Sequence, residues 1–254
     1  MNARKTLLFG NILALIVVLT VNALANILPI NGMNTGQISD MYPSLFTPAG
    51  FTFSIWSVLY LLQIGFVIAQ FSIKDKPYFK ELSLWYLVSC VANASWILVW
   101  HYLLTSASLV VMLVLLFSLT RIFLLLQNQT FEKNTEWFFI KLPFVFYLSW
   151  ICVATIANTS ALLLSFDWHG GFLSEEIWTI VLLLIATALG LIIAFRFQEP
   201  VFLLVLMWAF FGIYMRWIET EHDFIASTAR IGVVLMALVF GKLILQKPKA
   251  VSQS

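Results

Sequence analysis

The stretch TLLFGNILALIVVLTVNALANILP, residues 6–29, carries no charged side chain and is long enough to cross a lipid bilayer as a helix. A helix needs about 20 apolar residues to span the roughly 30 Å hydrocarbon core, because each residue rises about 1.5 Å. Every backbone polar group in that core must be paired within the protein, which a helix achieves by itself. The stretch therefore predicts a transmembrane helix.

Seven further apolar stretches of similar length follow it. The whole set of predicted spans is 6–29, 51–71, 82–104, 107–127, 138–164, 176–195, 200–218 and 224–246. Of the 254 residues, 61% are hydrophobic and 10% are charged, whereas a soluble domain carries about 25% charged residues. We predict an all-α fold, a polytopic integral membrane helical bundle of about eight transmembrane helices.

Basic residues collect in alternate gaps between these spans. Of the 14 Lys and Arg residues, all but Arg216 and Arg230 lie on one side of the predicted bundle. Cytoplasmic loops of membrane proteins carry the excess of Lys and Arg. The even number of spans then places both termini in the cytoplasm, with a short tail that carries Lys247 and Lys249. The predicted location is the inner membrane of a bacterium.

A cleaved signal peptide is the alternative interpretation of the first span. Met1–Lys5 is basic, and Ala23–Ala25 resembles a small-residue cleavage site. The apolar stretch is longer than the core of a typical signal peptide, which favours a retained helix. Cleavage would leave seven spans with the new amino terminus outside.

Charge, cysteine and histidine content exclude several other classes of function. A net charge of +2 without a basic cluster excludes nucleic-acid partners. Cys90 and Cys152 both fall inside apolar spans, so we predict no disulfide and no metal site. His101, His169 and His222 are far apart in sequence, and no recognised catalytic motif occurs. We therefore predict no catalytic residue and no resident cofactor.

Polar side chains deep in the spans are the candidates for a function. Four tryptophans sit away from the span ends, where each indole N–H needs a partner inside the protein: Trp56, Trp96, Trp150 and Trp208. Asn93 stands three residues before Trp96 and Asn158 eight after Trp150, so each pair can share one side of its helix. These amides either bond a neighbouring helix or line a ligand cavity.

One basic residue also lies within a span. Arg230 is about 10 Å into the last span at a rise of about 1.5 Å per residue, with Asp223 and Glu219 as acidic candidates for a partner. We interpret it as a snorkelling or structurally paired side chain, and an anion site is the alternative.

Three ordered motifs, at residues 45–60, at residues 93–96 and at Trp150 with Ala154 and Asn158, resemble motifs of the TspO/MBR family of tryptophan-rich sensory proteins and translocator proteins. Residues 45–60, LFTPAGFTFSIWSVLY, resemble its W-x-P-P and F-x-P-V-W-x-x-L-Y pattern, which joins the first loop to the second helix. Residues 93–96, NASW, resemble the N-x-x-W of the third helix, and Trp150, Ala154 and Asn158 resemble the W-x3-A-x3-N of the fifth.

The resemblance implies a five-helix core over residues 1–165, and leaves residues 166–254 as three additional transmembrane helices and the tail. It implies a binding or sensory protein for a lipophilic ligand such as a porphyrin, haem or sterol, held among the helices under the first loop. The site residues so implied are Pro48, Phe51, Trp56, Asn93, Trp96, Trp150 and Asn158. Phe46 and Ala49 depart from the Trp and the second Pro of the family pattern.

Two other classes of function stay open. A carrier for a neutral or amphiphilic solute would use the last three helices as a moving partner and would depend on Arg230. A membrane enzyme acting on lipids or pigments would need an active-site group that the sequence does not reveal. The predicted partners are the lipid bilayer and a lipophilic small molecule, and a homodimer stays open.

Overall fold

The computed structural model describes residues 3–131 and 133–246, and these residues form an all-helical bundle. The eight long helices are α1 (Ala3–Ile27), α2 (Ile55–Ile73), α3 (Phe79–His101), α4 (Thr105–Gln127), α5 (Leu142–Ser165), α6 (Glu175–Phe197), α7 (Val201–Trp217) and α8 (Asp223–Leu245). One helical turn, Asn134–Glu136, and a π-helical segment, Trp137–Lys141, lead into α5. Lys247 and Lys249 lie outside the described residues.

The predicted polytopic membrane bundle is confirmed. Seven of the described helical segments are long and apolar enough to cross a membrane, and Val201–Trp217 is a shorter apolar helix. The described residues therefore match the eight predicted spans one to one, and the protein is an integral membrane protein. Large apolar side chains such as Leu13, Ile68 and Val110 point outward because the surrounding solvent is hydrocarbon.

The helices form two packed groups. Helices α1 to α5 make a core, in which α3 packs against α1 and α4, and α5 packs against α4 and α2. Helices α6, α7 and α8 make a second group, in which each packs on the other two. Helix α7 joins the groups because it also packs along α5.

The second group packs closely because glycines face large side chains. A Cβ atom at Gly190 of α6 would collide with Leu206 of α7, and one at Gly232 of α8 would press on Phe210 of α7. Small residues let helix backbones approach closely, which provides van der Waals contact in a solvent where apolar burial offers little. Helix α7 is thus the centre of this group.

Hydrogen bonds between buried polar side chains tie the core together. Asn11 of α1 donates to Gln70 of α2 at 2.8 Å and to Ser83 of α3 at 3.1 Å. All three side chains are buried at membrane depth, where an unpaired polar group is costly. One asparagine thereby links three helices.

The chain's antiparallel course gives the bundle two ends. The terminal end carries the start of α1 and the end of α8. The loop end carries the first interhelix segment, residues 28–54, which we call the first loop. It contains a short helix, Thr35–Asp40, and a 3-10 helix, Gly50–Ser54.

Candidate functional site

Four indoles from three helices meet at the loop end of the core. Trp56 of α2 stacks on Trp96 of α3 with ring centroids 6.4 Å apart and planes inclined by 24°. Trp96 stacks in turn on Trp100, one turn further along α3, at 5.7 Å and 16°. Trp150 of α5 meets Trp56 edge-on at 6.2 Å and 85°. Stacked and edge-to-face pairs at these distances are the arrangements that aromatic rings favour.

These indoles line a small void, which we call the aromatic cavity. Its volume is about 50 Å³. Five of the seven predicted site residues line it, namely Pro48, Trp56, Trp96, Trp150 and Asn158. The structure therefore brings together residues from the first loop, α2, α3 and α5 that lie as far apart as Pro48 and Asn158 in the chain.

One donor in this cavity is unused. Trp150 is 2% exposed, and its Nε1 has no hydrogen-bond partner among the described residues. A buried donor without an acceptor costs about 1–3 kcal/mol, so such groups are rare in folded proteins. The fold tolerates this cost at a residue that lines the cavity.

Asn158 combines the two roles that its sequence position leaves open. Its Oδ1 accepts a hydrogen bond from Trp96 Nε1 at 3.1 Å, and its Nδ2 donates to Ser108 Oγ of α4 at 2.9 Å. The amide joins α3, α4 and α5 and also lines the cavity. It thereby holds the Trp96 ring in orientation.

Asn93 lies outside the aromatic cavity. Its Oδ1 accepts from Asn22 of α1 at 2.9 Å, and its Nδ2 donates to the Tyr147 hydroxyl of α5 at 2.7 Å. It borders a separate narrow void beside Gln63, whose amide atoms have no partner among the described residues. Asn93 therefore serves helix packing in this structure.

Phe51 also lies away from the cavity. Its side chain is 44% exposed and its ring packs edge-on against Trp208 and Phe211 of α7. The 3-10 helix Gly50–Ser54 turns Phe53 inward instead, where its ring meets Trp150 edge-on at 6.3 Å. The sequence alone does not reveal which of these two phenylalanines the turn directs inward.

A second void adjoins the aromatic cavity, and we call it the side void. Its volume is about 230 Å³, and it lies between α1, α2 and α3 under the first loop. Asn22, Asn26 and Tyr60 give it a polar lining. It shares Trp56 and Phe53 with the aromatic cavity, so these two rings stand between the two spaces.

The first loop covers the aromatic cavity from above. Its short helix begins with a capping box, in which the Asn34 side chain accepts from the Gln37 amide and Gln37 bonds back to Asn34. Thr35 then bonds His101 Nε2 at 3.1 Å through its hydroxyl and accepts from Trp100 Nε1 at 3.4 Å through its carbonyl. These contacts hold the first loop against the end of α3.

Helix α7 holds the other half of the first loop. Arg216 donates to Asp40 at 3.1 Å and to the Pro48 carbonyl at 3.3 Å. Trp217 Nε1 donates to the Leu45 carbonyl at 2.8 Å, and the Ala49 amide donates to the Gly212 carbonyl at 3.0 Å. The first loop is thus hydrogen-bonded to α7 through both side-chain and backbone groups.

The contact between α7 and the first loop also explains the interior position predicted for Trp208. Its Nε1 donates to the Thr52 carbonyl at 2.9 Å. Gly212 lies beneath this segment, where a Cβ atom would collide with Thr52 and Pro48. The first loop and α7 therefore fit together only because position 212 has no side chain.

A family model described as TSPO-like protein matches residues 7–241. The chain belongs to the TSPO-like family. The match runs through the last three helices, so α7 and its contacts to the first loop lie within the region that this TSPO-like protein shares with its family model. A search of the curated proteins and a search of the solved structures found no match.

Sequence reasoning missed two parts of the site in this TSPO-like protein. Trp100 lies four residues after Trp96, a spacing that places both rings on one side of a helix and could have identified it. The contact of α7 with the first loop had no such signal, because Arg216 and Asp40 are separated by most of the chain.

Arg230 does not approach the site. It is exposed on α8, whereas Ala226 and Ala229 on the same helix are buried. The described residues place no acidic side chain within ion-pair distance of it. Its position is that of a long side chain that extends along the lipid face toward the interface.

Proposed function

We propose that this protein binds a planar lipophilic molecule at the aromatic cavity. The observation that carries the proposal is the meeting of Trp56, Trp96 and Trp150 with Asn158 around one cavity. Flat aromatic faces favour stacking with a flat ligand, and a few polar groups in an apolar pocket fix its orientation. The unused Trp150 N–H supports a ligand that carries a hydrogen-bond acceptor at its edge.

The site favours a ring that stacks over one that is held through a metal. His101 is the histidine nearest the cavity along α3, and both of its ring nitrogens are engaged, with Thr35 and with the Ile30 carbonyl. It offers no free nitrogen to a haem iron. A metal-free porphyrin or a sterol therefore fits these residues better than haem does.

Binding requires the aromatic cavity to enlarge. Its volume of about 50 Å³ is well below the roughly 300–1,000 Å³ of typical ligand pockets. Rotation of the Trp56 side chain would join it to the side void of about 230 Å³. We infer that Trp56 moves when the ligand enters, and that Trp96 and Trp150 form the fixed walls.

The test is a titration of the purified protein in maltoside micelles with protoporphyrin IX, followed by porphyrin absorbance, with a sterol as competitor. We expect saturable binding that Trp150→Phe weakens about three- to tenfold, since one hydrogen bond contributes about 0.5–1.5 kcal/mol. The same variant should keep or raise the thermal unfolding temperature, because it removes a buried donor that has no acceptor.

Trp85→Phe is the matched control. Trp85 packs against Phe117 at 5.5 Å on another part of α3 and α4, away from the cavity. It should leave porphyrin binding unchanged. Absence of saturable binding, or equal weakening by both substitutions, would count against the aromatic cavity as the site.

We also infer that both termini face the cytoplasm of a bacterial cell, with the first loop on the opposite side of the inner membrane. The distribution of Lys and Arg supports this orientation. A ligand would then reach the aromatic cavity from the outer side or from the outer leaflet.

A further inference from the structure

A larger cleft lies between α5 and α6 at the loop end, and we call it the interhelix cleft. Its volume is about 420 Å³, within the roughly 300–1,000 Å³ range of small-molecule sites. It shares no lining residue with the aromatic cavity. Thr155, Thr159 and Ser160 of α5 face the cleft, whereas Ala154, Ala157 and Asn158 face the aromatic cavity.

The body of the cleft is apolar. Its walls include Ile156 and Leu163 of α5 and Leu182 of α6. The distance along α6 from Glu175 at the mouth to Leu182 is about 10 Å at a rise of about 1.5 Å per residue. A hydrocarbon body can therefore lie along the cleft with its polar end at the loop end.

The mouth of the cleft carries two indoles and a carboxylate. Trp168 and Trp178 lie with ring centroids 5.6 Å apart and planes inclined by 57°. Trp178 is fixed there because its Nε1 donates to the Gly170 carbonyl at 2.7 Å. Glu175 is the one charged side chain among the described residues that line the cleft. Indole faces and a carboxylate both attract a cation.

The hydroxyl groups of the cleft add acceptors. The hydroxyls of Thr155, Thr159, Ser160 and Thr179 each donate to a carbonyl of their own helix at 2.7–3.1 Å. Each oxygen is left with lone pairs and no proton to give. The helical walls therefore offer hydrogen-bond acceptors to a ligand that brings donors.

Glu175 is already hydrogen-bonded to a histidine in the structure. His169 Nδ1 lies 2.5 Å from Glu175 Oε1, and its Nε2 lies 3.1 Å from Asp167 Oδ1. The hydrogen bond to Glu175 and then that to Asp167 raise the pKa of His169 above its ordinary value. The two carboxylates therefore favour the protonated form of His169, and a bound ammonium group would compete with this ring for Glu175.

We propose that the interhelix cleft binds a lipophilic amine, a molecule with an apolar body and one ammonium group. The body lies between α5 and α6, and the ammonium group sits among Glu175, Trp168 and Trp178. A phosphocholine lipid also carries a cation but adds a phosphate, which Glu175 would repel. The described lining holds no Lys or Arg to bind that phosphate, and the neighbouring His169 is already engaged by Glu175 and Asp167. A free amine is therefore the occupant that these residues fit.

The test measures binding of three probes to the protein in maltoside micelles, which contain no ammonium group: dodecylamine in its protonated form, dodecanol and a short-chain phosphatidylcholine. Equilibrium dialysis with labelled probes gives the affinities. We expect the ammonium probe to bind saturably and about tenfold more tightly than the alcohol, with the phosphatidylcholine weaker than the ammonium probe.

Two substitutions at the mouth locate the cation. Glu175→Gln and Trp168→Ala should each weaken the ammonium probe several-fold and leave the alcohol unchanged. Glu176→Gln is the matched control, because Glu176 is the next residue along α6 and pairs with His222 instead. Thermal unfolding of each variant checks that the protein remains folded.

Several results would overturn the proposal. Equal affinities for the ammonium and alcohol probes would show that the cleft binds any hydrocarbon chain. Tighter binding of the phosphatidylcholine would assign it to a lipid. An equal loss with Glu175→Gln and Glu176→Gln would place the cation elsewhere at the loop end.

Discussion

The indoles of the aromatic cavity differ in how their N–H groups are used. Trp96 donates to Asn158 and Trp100 donates to the Thr35 carbonyl, whereas Trp150 donates to no described residue. Paired indoles are fixed in orientation, and an unpaired one retains a free donor for an incoming group. This difference is the reason for assigning ligand contact to Trp150 and support to Asn158.

A second residue-scale feature lies at the terminal end. Lys141 and Glu199 form an ion pair at 2.5 Å with side chains 12% and 3% exposed. Gln127 bridges them, because it accepts from Lys141 and donates to Glu199 at 3.0 Å each. Buried ions depend on each other, since either one alone is left without compensation for its lost hydration.

Glu199→Gln should therefore destabilise the protein by about 3 kcal/mol, because it leaves the Lys141 charge buried without its counter-ion. The measurement is thermal unfolding in micelles. The double variant Lys141→Gln with Glu199→Gln should recover most of the loss, since two neutral amides can still hydrogen-bond. A double variant as unstable as the single one would show that the charge pairing is not the cause.

At the scale of elements, α7 acts on the first loop. Its side chains and backbone bond to residues 40–52, and the loop in turn covers the aromatic cavity. Helix α7 therefore helps to close the aromatic cavity through the first loop. Loops without such contacts open locally at low free-energy cost.

Arg216→Ala should loosen the first loop, because it removes the bonds to Asp40 and to the Pro48 carbonyl. We expect amide hydrogen exchange of Ala49 and Thr52 to rise about three- to tenfold, since such contacts contribute about 0.5–1.5 kcal/mol. Mass spectrometry of deuterated peptides measures the change.

Arg121→Ala supplies the comparison for this prediction. Arg121 pairs with Glu81 at 3.2 Å at the terminal end and does not touch the first loop. It should leave exchange in the first loop unaltered. Unchanged exchange in Arg216→Ala as well would mean that α7 does not restrain the loop.

Across the whole molecule, the two ends of the bundle differ in their number of basic residues and in their cavities. The terminal end carries ion pairs such as Arg121 with Glu81, and the loop end carries the first loop and the mouths of the cavities. The Lys and Arg distribution predicts that the terminal end faces the cytoplasm. Ligand access from outside depends on that orientation.

Cysteine labelling tests the orientation. In a background with Cys90 and Cys152 replaced by Ala, we expect Asn134→Cys to react with an impermeant maleimide only after the cells are opened. Phe172→Cys, at a side chain 91% exposed at the loop end, should react in intact cells. The reverse labelling pattern would show that the bundle has the opposite orientation in the membrane.

Much of this architecture is readable from residue patterns. The length and apolarity of each span predict a transmembrane helix because the bilayer imposes one solution on the backbone. Deep indoles such as Trp56 and Trp150 predict an interior position, because an unpaired N–H in lipid is costly. These inferences use local sequence and the solvent alone.

The membrane setting, the number of helices and the inward position of Trp56, Trp96 and Trp150 follow from residue patterns, since each depends on the residues of a single helix. The inward turn of Phe53 in place of Phe51, the contact of α7 with the first loop and the cleft between α5 and α6 are visible only in the assembled bundle. Those features depend on how distant helices approach one another. Many weak packing contacts spread over the chain set that approach, and no local pattern encodes it.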